Sequence, residues 1–203
     1  MSATVLIDYG AGNLRSVANA LHSLEAEVLI VSKGEDFPEN PARVILPGVG
    51  SFGDSMEQLT RRGLAEPVRR SIAAGVPFLG ICVGYQLLFE GSEESPGIAG
   101  LNILQGQVVR FQPGKKIPHM GWNSTHLTDP QHPCWAGLGA DPYFYFVHSY
   151  FPAPVDTAII AATTDYQETF AAAVIRDNLW AVQFHPEKSQ DSGLQLLRNF
   201  LAQ

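Results

Sequence analysis

The sequence predicts an α/β fold: a mixed, largely parallel sheet flanked by helices, with one sharp strand-to-helix turn that presents a nucleophile. Three observations carry this. Through the first half, short β-rich apolar runs alternate with stretches of helical period, the rhythm of parallel strands joined by crossover helices. After Pro96 the rhythm changes to closely spaced strands joined by Gly, Pro and Asp segments, which read as hairpins added to the sheet. Finally, Gly80-Ile81-Cys82-Val83-Gly84 follows an apolar run and precedes a helical one.

Thr4-Val5-Leu6-Ile7 is the first strand, ended by Asp8-Tyr9-Gly10. Leu14, Val17, Ala18, Leu21 and Leu24 recur at helical spacing. Glu27 to Val31 and Arg43 to Leu46 are the next strands, the latter stopped by Pro47-Gly48. A helical stretch from Asp54 to Ala74 is expected to break at Pro67, because proline lacks the N–H and clashes with the preceding turn. Val76 to Ile81 is a fourth strand and Tyr85 to Glu90 a helix. Strands are then expected over Gln105 to Phe111, Pro118 to Leu127, Tyr143 to Tyr150, Ala158 to Thr164, Phe170 to Arg176 and Leu179 to Phe184, with a last helix from Gly193 to Leu201. No linker or repeat interrupts them, so residues 1–203 read as a single domain. A chain of this length buries about 70% of its unfolded surface.

Composition excludes several classes. Thirteen Lys and Arg against twenty Asp and Glu give a formal charge of −7, which argues against nucleic acid or an anionic membrane as main partner. No apolar run approaches the roughly 20 residues of a membrane span, and Met1-Ser2-Ala3-Thr4 has no basic leader region. Cys82 and Cys134 are the only cysteines, too few for a disulfide framework and without zinc-site spacing. A cytoplasmic protein with no metal and no cofactor is the expectation.

The Gly80–Gly84 segment carries the chemistry. A nucleophile flanked by glycines at minus two and plus two marks a turn too tight for side chains on both sides. Cys82 then sits at a helix N-terminus, which favours a thiolate, and the Val83 N–H is free to face a developing oxyanion. A buried structural thiol is the alternative. Of the six histidines, His185 in Gln183-Phe184-His185-Pro186-Glu187 ends a strand, and strand C-termini line the functional edge of such sheets. Glu187, two residues on, can fix the imidazole tautomer. The Gly48, Gly50, Gly53 spacing matches a dinucleotide loop, but Pro47 sits in the turn and it follows the third strand. That loop can instead offer a second N–H to an oxyanion. Cys134 reads as a spectator thiol, and His148 as a packed histidine near the functional edge. On these residues alone, a stand-alone Cys-elbow α/β hydrolase remains open.

Pro47-Gly48-Val49-Gly50, Gly80-Ile81-Cys82-Val83-Gly84-Tyr85-Gln86 and His185-Pro186-Glu187 together resemble the class I, triad-type glutamine amidotransferases, across essentially the whole chain. Asp8-Tyr9-Gly10-Ala11-Gly12-Asn13, Pro118-His119-Met120-Gly121-Trp122-Asn123 and Tyr145 to Tyr150 narrow the resemblance to the branch that serves a cyclase of histidine biosynthesis; a glutaminase for another synthase is the alternative. The resemblance implies that Cys82 attacks glutamine, His185 moves the proton and Glu187 orients it. It implies an oxyanion hole from Val83 and the Val49-Gly50 loop, with reorientation of that loop as a first step. It also implies substrate binding by Gly50, Gln86, Ser149 and Tyr150. Ammonia would pass to a (β/α)₈-barrel cyclase subunit, in a 1:1 heterodimer that docks through Asn13, Met120, Gly121 and Trp122. That partner would make imidazole glycerol phosphate and AICAR from PRFAR.

Overall fold

The computed structural model describes residues 3–10, 13–114 and 116–203. Ala11 and Gly12 of the N-terminal motif lie outside the described residues. The chain opens with β1 (Thr4–Ile7), α1 (Leu14–Ser23), β2 (Val28–Val31) and β3 (Arg43–Leu46). The helix pair α2 (Phe52–Arg61) and α3 (Ala65–Ala73) follows, then β4 (Phe78–Ile81) and α4 (Val83–Gln86). The β-rich half holds β5 (Gly91–Ser92), β6 (Gly106–Arg110), β7 (His119–Ser124), β8 (His126–Leu127), β9 (Tyr143–His148), β10 (Tyr150–Pro154), β11 (Ile160–Asp165), β12 (Thr169–Arg176) and β13 (Leu179–Val182). Helix α5 (Gln190–Leu201) closes it.

The main sheet has the order β2-β1-β3-β4-β13-β12-β11-β8. Its first five strands are parallel neighbours, and the β13-β12, β12-β11 and β11-β8 pairings are antiparallel. The mixed sheet is therefore as expected, with the late hairpins extending a parallel core. Strands β1, β4 and β13 are buried at every position, which explains their unbroken apolar sequences. Helices α1, α2 and α3 press Val17 and Leu21, Met56 and Leu59, and Val68 and Ile72 into that core. No helix among the described residues is long and apolar enough to cross a membrane.

Beyond shifts of a few residues at element ends, four boundaries differ from expectation. The expected Pro118–Leu127 strand divides at Thr125 into β7 and β8, which join different sheets. The long helix breaks at Gly63 (φ +69°), not at Pro67. Pro67 sits in the first turn of α3, where its missing N–H has no intrahelical partner to lose. The helix after Cys82 begins at Val83 and stops at Gln86, because the returning segment 100–104 takes the carbonyls of Leu87, Leu88, Phe89 and Glu90 through its own N–H groups. Finally, the strand ending in Tyr150 divides at Ser149. β10 carries Pro152 and Pro154, which hid it in the sequence; it forms the edge of a small sheet with β6 and β5, where proline is tolerated.

The register positions the site. Leu46 lies beside Gly80, and Ile81 beside Val182. The 47–50 loop, Cys82 and the 183–187 segment thus leave the same edge of three neighbouring parallel strands.

Candidate active site

Cys82 adopts φ 54°, ψ −110°, a conformation that costs a non-glycine residue about 1–3 kcal/mol. The packing around it enforces that turn. A Cβ at Gly84 would lie 1.9 Å from the Leu46 carbonyl oxygen, and one at Gly80 3.1 Å from the Gly84 oxygen. The Cys82 N–H is held by Val182 O at 2.8 Å. The side chain is buried, and Gln183 Nε2 donates to its Sγ at 3.7 Å.

His185 is fully buried, and its Nδ1 meets Glu187 Oε1 at 2.7 Å. Asn13 Nδ2 donates to the same oxygen. His185 Nε2 has no hydrogen-bond partner. Burial alone would push this imidazole down; the Cys82 side chain and then Glu187 pull it up more strongly, to about 10. Its backbone is pinned by the His185 N–H on Tyr145 O (2.9 Å) and by Ser189 Oγ on His185 O (2.7 Å). Gly193 lets α5 close on this turn, since a Cβ there would lie 1.8 Å from Pro186 O.

The 47–50 loop differs from expectation at one atom. The Val83 N–H is not free but donates to Gly48 O at 3.4 Å. The loop thus presents an acceptor, not a donor, to the Val83 N–H. Gly48 is wedged there: a Cβ would lie 2.4 Å from Tyr9 Oη and 2.7 Å from the Gly84 nitrogen. Gly50 takes φ +98°, the left-handed half of backbone space.

A cavity of about 290 Å³ lies over Cys82, a size suited to a small polar ligand. Val49, Gly50, Cys82, Val83, Gln86, Ser149, Tyr150 and His185 all line it. The Gln86 side chain is buried and donates to Tyr150 O at 3.0 Å and Gln183 Oε1 at 3.1 Å. Among the described residues no group of three His, Cys, Asp or Glu is placed to hold a metal ion. Cys134 is buried away from this cavity, and burial pushes its thiol up.

The family model for glutamine amidotransferase class-I matches residues 5–203. The chain belongs to that family. This amidotransferase is 51% identical over 210 residues to the imidazole glycerol phosphate synthase subunit HisH of Methylococcus capsulatus, covering 99% of this chain and 96% of the relative. It is 48% identical over 201 residues to the same-named subunit of Synechococcus elongatus, covering 98% and 92%. Among solved structures, PurLQS from Thermotoga maritima superposes with a TM-score of 0.78 at 18% identity, covering 100% and 99% of the two chains. A crystal structure of a glutamine amidotransferase gives 0.76 at 22%, covering 98% and 97%. Both share the amidotransferase fold.

Within the amidotransferase, the remaining sequence-predicted residues stand outside the cavity. Glu187 lies behind His185. Asn13 turns its amide inward to Glu187, although the sequence suggested only a docking role. Met120, Gly121 and Trp122 lie on β7, with Met120 62% and Trp122 45% exposed. Sequence reasoning missed four groups. Glu94, Pro118 and Val147 line the cavity, and Gln183 contacts the thiol. His148 lines it too, where the sequence suggested only packing. For Gln183 the signal was an amide inside an otherwise apolar run. For His148 it was strand alternation, which puts it on the buried face with Phe144 and Phe146.

Proposed function

We propose that this amidotransferase is the glutaminase subunit of imidazole glycerol phosphate synthase. It hydrolyses glutamine to glutamate and ammonia and delivers the ammonia to a cyclase subunit in histidine biosynthesis. The observation that carries the chemistry is one cavity shared by the strained Cys82 and by His185, whose other nitrogen is taken by Glu187. The partner assignment follows the HisH relatives at about half identity over nearly the whole chain.

In this reading, His185 Nε2 takes the Cys82 thiol proton as Sγ adds to the glutamine side-chain carbonyl carbon. Negative charge moves to the oxygen, which the Val83 N–H receives. The proton on His185 Nε2 passes to the leaving nitrogen; the C–N bond breaks, ammonia departs and a γ-glutamyl thioester remains. Water, deprotonated by His185, attacks that carbonyl, and the C–S bond breaks to give glutamate and the thiol. Glu187 Oε1 fixes the ring so that Nε2 faces Cys82. Gln86, Gly50 and the Ser149-Tyr150 corner hold the amino-acid end.

The Gly48 carbonyl on the Val83 N–H supports a low resting activity. The loop must turn that carbonyl away and bring an N–H of the Val49-Gly50 loop inward before the hole has two donors. A (β/α)₈-barrel cyclase, docked 1:1 in the cytoplasm on the face around Met120, Gly121, Trp122 and Asn13, would promote that turn. Its reaction joins the ammonia to PRFAR and yields imidazole glycerol phosphate and AICAR.

The test is ammonia release from glutamine with and without the cyclase and its nucleotide ligand. Strong stimulation by the liganded partner is expected. Turnover that the cyclase leaves unchanged would overturn the coupling, and no turnover in any condition would overturn the role of Cys82.

A further inference from the structure

His119 and His148 face each other across the β7–β9 pair and are buried, 3% and 6% exposed. They belong to a line of four polar groups. Asn123 Nδ2 meets His119 Nε2 at 3.2 Å, His119 Nδ1 meets His148 Nε2 at 3.0 Å, and His148 Nδ1 meets Tyr150 O at 2.9 Å.

Both ends fix the direction of every hydrogen. A carbonyl oxygen only accepts, so His148 carries its proton on Nδ1. At the other end, Asn123 Oδ1 takes the Ser124 N–H (2.9 Å) and Nδ2 donates to Asp165 O (2.9 Å). The second Nδ2 hydrogen therefore points at His119 Nε2, which must be bare. His119 then carries its proton on Nδ1 and gives it to the bare Nε2 of His148. The two anchors demand the same polarity, and a proton added to His148 Nε2 would meet the His119 N–H head-on. Burial chiefly, opposed by the Tyr150 bond and reinforced by His119 and His185, holds His148 down to about 3, so the ring stays neutral.

The line ends where the cavity begins. The bond from His148 to Tyr150 O spans Ser149, whose own carbonyl takes the Phe111 N–H at 3.2 Å. Tyr150 O also accepts from Gln86, so both of its lone pairs are occupied. This corner, where β9 passes into β10, lines the cavity together with His148.

We propose that His148, set by His119 and Asn123, is a positioning residue that holds the Ser149–Tyr150 corner in its substrate-binding shape. This rests on reading the cavity as the glutamine site. The effect belongs to substrate binding more than to the chemical step, because no member of the line bonds Cys82, His185 or Glu187.

Steady-state kinetics on the complex with the cyclase tests it. His148→Phe keeps a ring but removes the donor, and raises KM for glutamine about tenfold with kcat within about threefold. His148→Asn restores a donor near Tyr150 O and recovers most of the loss. His119→Phe gives a smaller rise of the same kind. A folded His148→Phe variant with native KM, or one that loses kcat at unchanged KM, overturns the proposal. Nitrogen-15 NMR of the unmodified chain decides it if the variants do not fold. His148 must show its proton on Nδ1 with Nε2 bare, and the reverse tautomer overturns the relay. Failure of the glutaminase reading is a separate result: the native complex would then turn over no glutamine at all.

Discussion

Asn13 donates its side-chain amide to Glu187 Oε1, the same carboxylate oxygen that meets His185 Nδ1. The residue sits at φ +73° immediately before α1 and reaches a partner 174 positions away. Two donors on one oxygen fix the carboxylate plane and so the imidazole that lines the cavity. The other oxygen, Oε2, is buried with no hydrogen-bond partner.

Asn13→Ala is expected to lower glutamine-dependent kcat about tenfold, the lower end for loss of a hydrogen bond to a charged group. Synthesis from added ammonium should be unchanged. The alternative is a purely docking role. In that case a saturating concentration of cyclase would restore the native rate, and titration of the variant with partner separates the two.

Cys82→Ala should abolish glutamine use while leaving ammonium-dependent synthesis by the partner intact. The backbone at position 82 adds a second comparison. Alanine must still hold φ 54°, ψ −110°, whereas glycine takes positive φ without steric cost. Cys82→Gly should therefore be more stable than Cys82→Ala by about 1 kcal/mol, measured by urea unfolding. Equal stabilities would mean that the turn relaxes once the thiol is gone.

The parallel core was legible because β1, β3 and β4 are buried runs bounded by Gly or Pro, and the elbow because only glycine fits at position 84. What escaped were features set by tertiary contacts. The early stop of α4 depends on N–H groups more than ten residues downstream. β10 was masked by its prolines. The Asn13 contact joins chain segments that no local pattern relates, and so does the Gly48 carbonyl on the Val83 N–H. His185 and Glu187 could be read because a strand end and an i, i+2 spacing are local. The ring of His148 could not be given a role, because its tautomer is dictated by groups on β7 and β10.

Trp122 and Met120 are the large apolar side chains that β7 leaves exposed. The Trp122 ring lies 6.2 Å, centroid to centroid, from Tyr145, whose backbone holds both His185 and Ser189. Exposed aromatic anchors dominate binding energy at protein interfaces. Trp122→Ala should weaken cyclase binding at least tenfold, read by isothermal titration calorimetry, with the chain's thermal transition nearly unchanged. Native affinity in the variant would move the docking face elsewhere.

Acid should destabilise the fold through His148. In the unfolded chain this imidazole titrates near 6.5; in the fold it is held to about 3, with His119 from β7, His185 across the cavity and the Tyr150 carbonyl as its neighbours. Between those values the unfolded chain binds one more proton at this position than the folded chain. Stability therefore rises with pH across that window and is lost as pH falls. His148→Phe carries no such proton. It should be less stable than the native chain at pH 7, because His119 loses its acceptor, and that difference should shrink at pH 5. Urea unfolding of both proteins at the two pH values measures it. Carboxylates contribute equally to both chains, so a difference that stays constant would mean that His148 takes its proton without unfolding.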